Sequence, residues 1–502
     1  MIKTTPEHGG IHSSYIKEWL EGIEAAKLST HDIIIARGNK ILFENYRAPF
    51  HSDFLHRMYS VSKSFVAMAI GFAMQDGLLG LDDPIGKYFS SELDGNPDPN
   101  MGTQTIRQML MMSTPKKSRN WLSARCDDRV REYFQNTITS APCGSAFMYD
   151  SSGSFILGAL VERLTGIKLI NYLREKLFDK IGISKKVPFL YCPGGHSWGD
   201  SALLAKPRDL LLAARFMLNG GSWDGEQLLD AEYVKAATSK LIDTNSVEGA
   251  GYSGQGYGYQ IWKSYDDSFF FNGMGCQFAL CIPNSDIIMI YNGDNQGLNN
   301  AGELIIGSFF EKVARKAKMP DSNGSYSLPE NTDALTELNI YADSLTLAFE
   351  DGEMHSSIEK NIDGRWFILD ENPMGIKRFR LCFGVDSGHF EYTNAQGDKI
   401  LNFGLCRNEF GLFPEEGYSR DVGSVYCPGN YYKCAASAAW KSEKHLRLNV
   451  QVIDDYYGRL WIDLIFDEDS VAIKMQKTAE DFFTTYIGEA VAKIIECLKI
   501  NI

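Results

Sequence analysis

The sequence has no run of about 18 apolar residues, so we expect no transmembrane helix. The N-terminal stretch Met1–His8 contains no apolar h-region, and no signal peptide is visible there. We therefore expect a cytoplasmic protein, or an exported one if a leader has been removed.

Signatures of metals, cofactors and nucleic acids are also missing. The ten cysteines include no C-x-x-C pair, and the nine histidines lie at no ligand-like spacing to them. This scatter predicts reduced thiols in a cytosol and no zinc site, and we expect neither a metal nor a cofactor. The formal net charge is −14 and no Lys/Arg cluster is present, so we expect no nucleic-acid partner.

The chain does contain enough apolar sequence for more than one core. It has 502 residues, of which 44% are hydrophobic and 23% charged, the profile of a globular protein. Since single hydrophobic cores stop growing at roughly 250–300 residues, we predict two domains. The sequence leaves homo-oligomerisation open.

Residues 1–319 show helix and strand patterns in an order typical of an α/β (α+β) domain. Strand patterns flank a turn at Arg37–Lys40, a buried helix begins at Ser60, and strand patterns return after Gly256 until a helix at Ala301–Lys316. We predict one antiparallel sheet, made from the strands of both ends and flanked by helices. The mainly helical middle, 80–240, forms a helical subdomain at its side.

The rest of the chain has a different pattern. Residues 320–331 are rich in turn formers and are predicted to be a linker. Short alternating runs separated by Gly, Asp and Asn fill 332–502, which is typical of an all-β barrel or sandwich. We predict an antiparallel, lipocalin-like β-barrel over 332–502, with a first strand at Ser344–Phe349 and a terminal helix at Ala479–Leu498.

The first candidate for chemistry is Ser60, which has Lys63 at the spacing S-x-x-K. Three residues make nearly one helical turn, so the Lys63 amine is expected beside the Ser60 hydroxyl. A lysine with a lowered pKa can accept the serine proton and so activate the hydroxyl as a nucleophile.

One such match is weak evidence, because most S-x-x-K spacings lie on solvated helix faces. Ser14…Lys17 and Ser113…Lys116 share the spacing, but the first opens an exposed amphipathic helix and the second contains a proline. Only Ser60 opens a helix that is apolar almost all round, where desolvation is expected to lower the lysine pKa.

Two further segments contain candidate groups. Tyr149-Asp150-Ser151 precedes an apolar helix, and its tyrosine is either a general acid or base or a packed loop aromatic. Phe271–Phe278 has small residues at the entry to a strand. They either mark a simple bulge or let a backbone N–H serve an oxyanion hole.

Together the three segments resemble the serine β-lactamase and penicillin-binding-protein superfamily. The match is closest to its class C-like branch, which includes D-aminopeptidases, DD-peptidases and carboxylesterases. The similarity covers about residues 10–318 and implies a β-lactamase-like fold there. Its separate, ordered matches lie at 58–65, 80–84, 105–110, 149–158, 164–166, 207–210, 217–225 and 256–260.

The resemblance implies a role for each matching position. Ser60 is the acylated nucleophile, Lys63 its proton acceptor, and Tyr149 the tyrosine that activates the nucleophile or protonates the leaving group. Ser151 matches the third position of Tyr-x-Asn, where Asn is common in β-lactamases. Its hydroxyl can still form a hydrogen bond, but it does not favour a β-lactamase.

The family's third box, Lys-Thr-Gly or His-x-Gly, falls at Met274-Gly275-Cys276, to within one residue. Met274 then replaces the Lys or His that would face a substrate carboxylate and Tyr149. The backbone N–H of Gln277 is the expected second oxyanion donor.

We therefore predict a serine hydrolase that cleaves an ester or amide, including D-amino-acid peptides, through an acyl-enzyme on Ser60. Within the enzyme class the alternative is β-lactamase or DD-peptidase activity. Outside it, the Met274 departure leaves open a non-catalytic, penicillin-binding-like sensor or binding protein. The expected partner is a small ester, amide or peptide substrate.

Overall fold

A computed structural model describes residues 1–96, 98–116, 126–322, 324–423, 425–479 and 486–494. The chain forms two compact units. The first comprises Met1–Thr346 together with Arg420–Val425, and the second comprises Leu347–Ser419 and Tyr426–Ile502. None of the helices within the described ranges combines the length and apolar character that crossing a membrane requires.

The first unit contains helices α1–α13 and strands β1–β11. The helices are Ser13–Ala25, Val61–Gln75, Asn100–Thr103, Ile106–Leu110, Arg129–Asn136, Ser151–Thr165, Leu169–Leu173, Asp179–Ile181, Pro207–Leu218, Ala231–Ala237, Asn245–Glu248, Ser308–Lys312 and Thr332–Ser344. The strands are Ile2–Lys3, Thr30–Arg37, Lys40–Tyr46, His56–Arg57, Leu204–Ala205, Ser222–Trp223, Glu226–Gln227, Trp262–Lys263, Phe269–Gly273, Gln277–Ile282 and Ile287–Gly293. π-Helical turns lie at Arg174–Phe178 and Glu303–Gly307.

A seven-stranded sheet in the order β1-β3-β2-β11-β10-β9-β8 organises this unit. Strands from the two ends of the unit pair directly, with Ile290 of β11 opposite Ile34 of β2. All its pairings are antiparallel except that of β1 with β3. The predicted fold, one sheet flanked by helices with a helical region at its side, is confirmed.

The two faces of the sheet pack against different helices because side chains alternate along each strand. On one face Phe270 joins the core around α1, where the Trp19 ring lies 5.0 Å from that of Phe309 on α12. On the other face Phe271 contacts Phe65 of α2, with ring centroids 6.4 Å apart. Thirteen consecutive residues of α2, Val61–Ala73, are buried, so the helix that follows Ser60 is fixed inside the core.

The second unit contains α14 at Glu359–Ile362 and strands β12–β21. The strands are Phe367–Leu369, Arg378–Phe383, Ser387–Asn394, Gly397–Leu405, Glu409–Tyr418, Tyr426–Ser442, His445–Ile453, Tyr457–Phe466, Ser470–Ala479 and Gly488–Ile494. Sequential neighbours pair antiparallel from β12 to β15 and from β16 to β21, and β12 pairs with β21. A parallel pairing of β15 with β17, Gly404 opposite Ser437, closes nine strands of the described chain into a ring. The barrel alternative is confirmed over the sandwich.

Two predictions about the second half are wrong. The predicted terminal helix at Ala479–Leu498 is wrong, because Ala479 ends β20 and Gly488–Ile494 form strand β21. Residues 480–485 and 495–498 of that prediction lie outside the described residues. Pairing with β20 and β12 overrides the helical preference of the Ala and Glu residues of β21. The predicted strand at Ser344–Phe349 is the end of α13 and the chain that follows it. Asn331, taken as part of a linker, caps that helix by accepting a hydrogen bond from the Ala334 N–H at 3.1 Å.

Candidate active site

Ser60 immediately precedes Val61, the first residue of α2, and its side chain is half-buried. Lys63, one turn along the same helix, is only 1% exposed. Its Nζ donates hydrogen bonds to Ser60 Oγ at 2.8 Å and to the backbone oxygen of Asp200 at 2.7 Å. The helical spacing thus holds an amine directly against a serine hydroxyl.

Tyr149 lies beside the same amine. Lys63 Nζ is 5.2 Å from the centroid of the Tyr149 ring, and the Trp262 ring stacks on that tyrosine at 5.7 Å between centroids. The backbone N–H of Met148 donates to the Met112 oxygen at 2.9 Å, which fixes the chain just before the tyrosine. The structure therefore brings Ser60, Lys63 and Tyr149 together.

Ser151 is the first residue of α6 and is half-buried. Behind it, the carboxylate of Asp150 accepts a hydrogen bond from Ser152 Oγ at 2.5 Å and lies 3.5 Å from Lys116 Nζ. Lys116 also donates to Gln104 Oε1 at 2.6 Å. Burial lowers the pKa of Lys116, while the Asp150 carboxylate opposes that shift. The lysine of the third S-x-x-K match thus forms a buried ion pair next to the tyrosine loop.

Met274, Gly275 and Cys276 form the turn between β9 and β10. The Cys276 N–H donates to the Gly273 oxygen at 3.2 Å, and Gly275 and Cys276 have left-handed φ values of 81° and 73°. The buried side chain of Gln277, at the start of β10, donates to the Met274 oxygen at 3.1 Å. This hydrogen bond therefore restrains the conformation of the turn.

Gly273, at the end of β9, makes the closest approach to the nucleophile segment. A Cβ on this residue would lie 2.3 Å from the backbone oxygen of Met58, two residues before Ser60, so the contact accepts only glycine. The end of β9 therefore meets the nucleophile segment.

Cys276 is held as a thiol. Burial raises its pKa, and the nearby Asp294 carboxylate raises it further. Since the thiolate is the reactive form, the structure gives no chemical role to this sulfur.

A loop that the sequence did not assign contributes to the surroundings of Lys63. It contains Asp200 and is anchored to Glu162 of α6, whose carboxylate accepts from Ser197 Oγ at 2.7 Å and contacts His196 Nδ1 at 2.9 Å. Burial alone would raise the pKa of Glu162, but the hydrogen bonds from His196 and Ser197 hold it below its ordinary value.

Trp198 of this loop lies between two buried guanidinium groups. Arg57 Cζ is 4.9 Å and Arg129 Cζ 4.5 Å from its ring centroid. Burial raises the pKa of the Asp200 carboxyl, although Lys63, Arg129 and Arg57 oppose this. Sequence reasoning missed both arginines, because a buried arginine has no local signature that separates it from a surface one.

Within the part of the chain that the structure describes, no group of three His, Cys, Asp or Glu side chains could hold a metal ion. The site instead joins a hydroxyl, an amine and a phenol. A nucleophile within hydrogen-bond reach of a base is the arrangement that acyl transfer requires.

Comparisons with known proteins identify a family for this part of the chain. The family model described as Beta-lactamase matches residues 24–301. The 6-aminohexanoate-dimer hydrolase of Paenarthrobacter ureafaciens is 24% identical over 281 residues, which are 52% of this chain and 71% of that protein. A Bacillus anthracis structure, provisionally described as a 6-aminohexanoate-dimer hydrolase, has a TM-score of 0.52 at 17% identity and covers 62% of this chain and 85% of its own. The hydrolase EstCE1, described as having promiscuous acyltransferase activity, has a TM-score of 0.50 at 14% identity, over 59% of this chain and 98% of its own.

Proposed function

This chain belongs to the beta-lactamase family, and from that premise we propose that it hydrolyses an ester or amide bond through an acyl-enzyme on Ser60. One observation supports this most directly, the 2.8 Å hydrogen bond between Lys63 Nζ and Ser60 Oγ. The name of the Paenarthrobacter relative supports an amide among the substrates, although its 24% identity is too low to carry over the compound itself.

In the proposed reaction Ser60 Oγ attacks the carbonyl carbon while Lys63, as the free amine, accepts the hydroxyl proton. Collapse of the tetrahedral intermediate breaks the ester or amide bond, and Tyr149 delivers a proton to the leaving oxygen or nitrogen. Water then attacks the acyl-enzyme and gives a proton to the Tyr149 phenolate. As the acyl-oxygen bond to Ser60 breaks, Lys63 returns its extra proton to Ser60 Oγ, and the carboxylic acid is released. Positioned proton transfer of this kind contributes typically about 10²–10⁴-fold to the rate.

The oxyanion of the intermediate needs two donors. One is the backbone N–H of Ser60. We place the second on the N–H of Met274, the residue directly after β9, because its neighbour Gly273 packs against the Met58 carbonyl. The family's third box then falls at Phe271-Asn272-Gly273, three residues before the Met274-Gly275-Cys276 register and the Gln277 donor expected from the sequence.

Neither register places a lysine or histidine in the third box. A substrate carboxylate therefore lacks a charge-assisted hydrogen bond there, worth about 1.5–3 kcal/mol or roughly 10–150-fold in affinity. We infer that neutral esters and amides are better substrates than penicillin-type compounds. The same absence is what favours the second candidate, a binding protein of this fold that acylates slowly or not at all.

Labelling with a fluorescent fluorophosphonate, followed by mass spectrometry of the modified peptide, tests the proposal. We expect the label on Ser60, its loss in Ser60→Ala, and a large decrease in labelling rate in Lys63→Ala. Ser14→Ala is the matched control, because Ser14 and Lys17 have the same S-x-x-K spacing on α1. That variant should label like the wild type.

Hydrolysis of p-nitrophenyl esters then separates the two candidates. Turnover that disappears in Ser60→Ala supports the enzyme. Label on Ser60 without turnover supports the binding protein, and undiminished labelling of Ser60→Ala would remove Ser60 from the mechanism.

A further inference from the structure

Gln260 is a buried polar residue that the reaction does not use. It lies two residues before Trp262, is 2% exposed, and has a left-handed φ of 56°. Its backbone N–H donates to the oxygen of Leu110, the last residue of α4, at 3.0 Å. A residue other than glycine in this conformation is uncommon and indicates that its surroundings hold it there.

The Gln260 side chain makes a hydrogen bond at each end of its amide. Its Oε1 accepts from Ser154 Oγ of α6 at 2.6 Å, and its Nε2 donates to the oxygens of Met109 at 3.1 Å and Leu110 at 2.9 Å. Its backbone oxygen accepts from Ser64 Oγ of α2 at 2.9 Å. One residue thus ties α2, α4 and α6 together.

These three helices position the groups of the candidate site. Ser64 directly follows Lys63, and Ser154 lies on the first turn of the helix that begins after Tyr149 and Asp150. Beyond the end of α4, the Met112 oxygen accepts from the N–H of the residue before Tyr149. Two residues after Gln260, the Trp262 ring stacks on the tyrosine itself.

We propose that Gln260 is a positioning residue that sets the separation of Lys63 and Tyr149 by joining the helices on which they depend. This role rests on the proposed acyl transfer at Ser60. Gln260 touches neither the substrate nor the reacting atoms. Its contribution is to geometry, and a misplacement of about 1 Å can lower a rate by about 100-fold.

Two substitutions at this position separate hydrogen bonding from size. Gln260→Met keeps the length of the side chain and removes its three side-chain hydrogen bonds. Gln260→Glu keeps the acceptor for Ser154 but places a carboxylate against the carbonyls of Met109 and Leu110, which it cannot satisfy as a donor. Ser154→Ala and Ser64→Ala each remove one hydrogen bond to Gln260. Ser154→Ala also removes the longer bond from Ser154 Oγ to the Asp150 oxygen, at 3.3 Å, so Ser64→Ala is the cleaner of the two.

Gln75→Met is the matched control. The Gln75 amide also bridges two backbone groups, donating to Leu228 and accepting from Asp230, but it lies at the opposite end of α2, about 22 Å from Ser60. Loss of this bridge disturbs the same helix without disturbing the three-helix contact.

The measurement is kcat and KM for a p-nitrophenyl ester, expressed per active site titrated with the fluorophosphonate and taken well below the unfolding temperature. Counting labelled sites removes any loss of folded protein from the comparison. We expect Gln260→Met and Gln260→Glu to lower kcat by about 10- to 100-fold with KM changed less than about threefold. Ser154→Ala and Ser64→Ala should show smaller decreases of the same kind, and Gln75→Met should match the wild type.

The possible failures are distinguishable. A wild type that neither labels nor turns over would overturn the proposed function and this role with it. An active wild type whose Gln260→Met variant keeps its kcat per site within about twofold would overturn the positioning role alone. If both Gln260 variants fail to fold, Ser154→Ala and Ser64→Ala decide the question, and unchanged kcat in both counts against the proposal.

Discussion

The ion pair between Lys116 and Asp150 is almost completely buried, with side-chain exposures of 0% and 2%. At the observed separation of 3.5 Å, two unit charges attract by about 5 kcal/mol at an effective dielectric constant of about 20. Removing one partner forfeits this attraction and leaves the other charge buried alone, which typically costs about 3–5 kcal/mol. Lys116→Met and Asp150→Asn should each lower the free energy of unfolding by that amount.

The double variant should recover much of the loss. With neither charge present, no desolvation penalty remains, although Gln104 still loses the hydrogen bond from Lys116. The sum of the two single losses, about 6–10 kcal/mol, should therefore exceed the loss in the double variant by more than about 3–5 kcal/mol. The exposed pair Lys87–Asp83, at 3.0 Å on the surface, is the control and should show a coupling of at most about 1 kcal/mol.

For each pair, the wild type, the two single variants and the double variant form a double-mutant cycle. Urea unfolding monitored by tryptophan fluorescence measures the unfolding free energy of all four proteins. The m-values must stay constant for the comparison to hold. A coupling in the buried pair no larger than that of the surface pair would show that the low-dielectric reasoning is wrong for this site.

Three further outcomes are expected. Neutral p-nitrophenyl esters should be hydrolysed faster than penicillins, because the third box holds neither lysine nor histidine. A strong wild-type preference for penicillins would mean that another cation serves the substrate carboxylate. Hydrogen bonds hold the pKa of Glu162 below its ordinary value of 4.5, so its ionised form stabilises the fold above that pH, and this contribution is lost as the pH falls through the folded pKa. Glu162→Gln should therefore flatten the acid side of the curve of unfolding free energy against pH, measured by urea unfolding. A proteolytic nick within 320–331 should leave the two fragments associated on gel filtration, because α13 packs on α1 and the Leu328 N–H donates to the Glu7 oxygen at 2.9 Å. Fragments that separate would instead support the predicted linker.

Local patterns in the sequence predicted those elements that have strong local signals. The hairpin around Arg37–Lys40 and the buried helix after Ser60 follow from turn residues and apolar periodicity. The Ser60–Lys63 contact follows from helical spacing alone. None of these needs knowledge of a partner distant in sequence.

The residues that were missed depend on such partners. Gln260 bridges segments 106 to 196 residues away, and the oxygen that accepts from Lys63 comes from Asp200, 137 residues along the chain. The strand at Gly488–Ile494 exists because β20 and β12 offer it hydrogen bonds on both sides. In our proposal the third box lies three residues before the position predicted from the sequence. The contact that supports this shift, between Gly273 and Met58, is visible only in three dimensions.

The atom of Asp200 that accepts the hydrogen bond from Lys63 is a main-chain oxygen, so side-chain substitutions do not remove it. Alanine scanning of the loop would leave that oxygen in place and would assign the base only one partner, Ser60. The hydrogen bond itself depends on the path of the loop backbone and not on the Asp200 carboxyl, which is buried and interacts electrostatically with Arg129 and Arg57. Glu162, which anchors the loop through Ser197 and His196, therefore acts on the base through the backbone, because the conformation of the loop places the oxygen against Lys63.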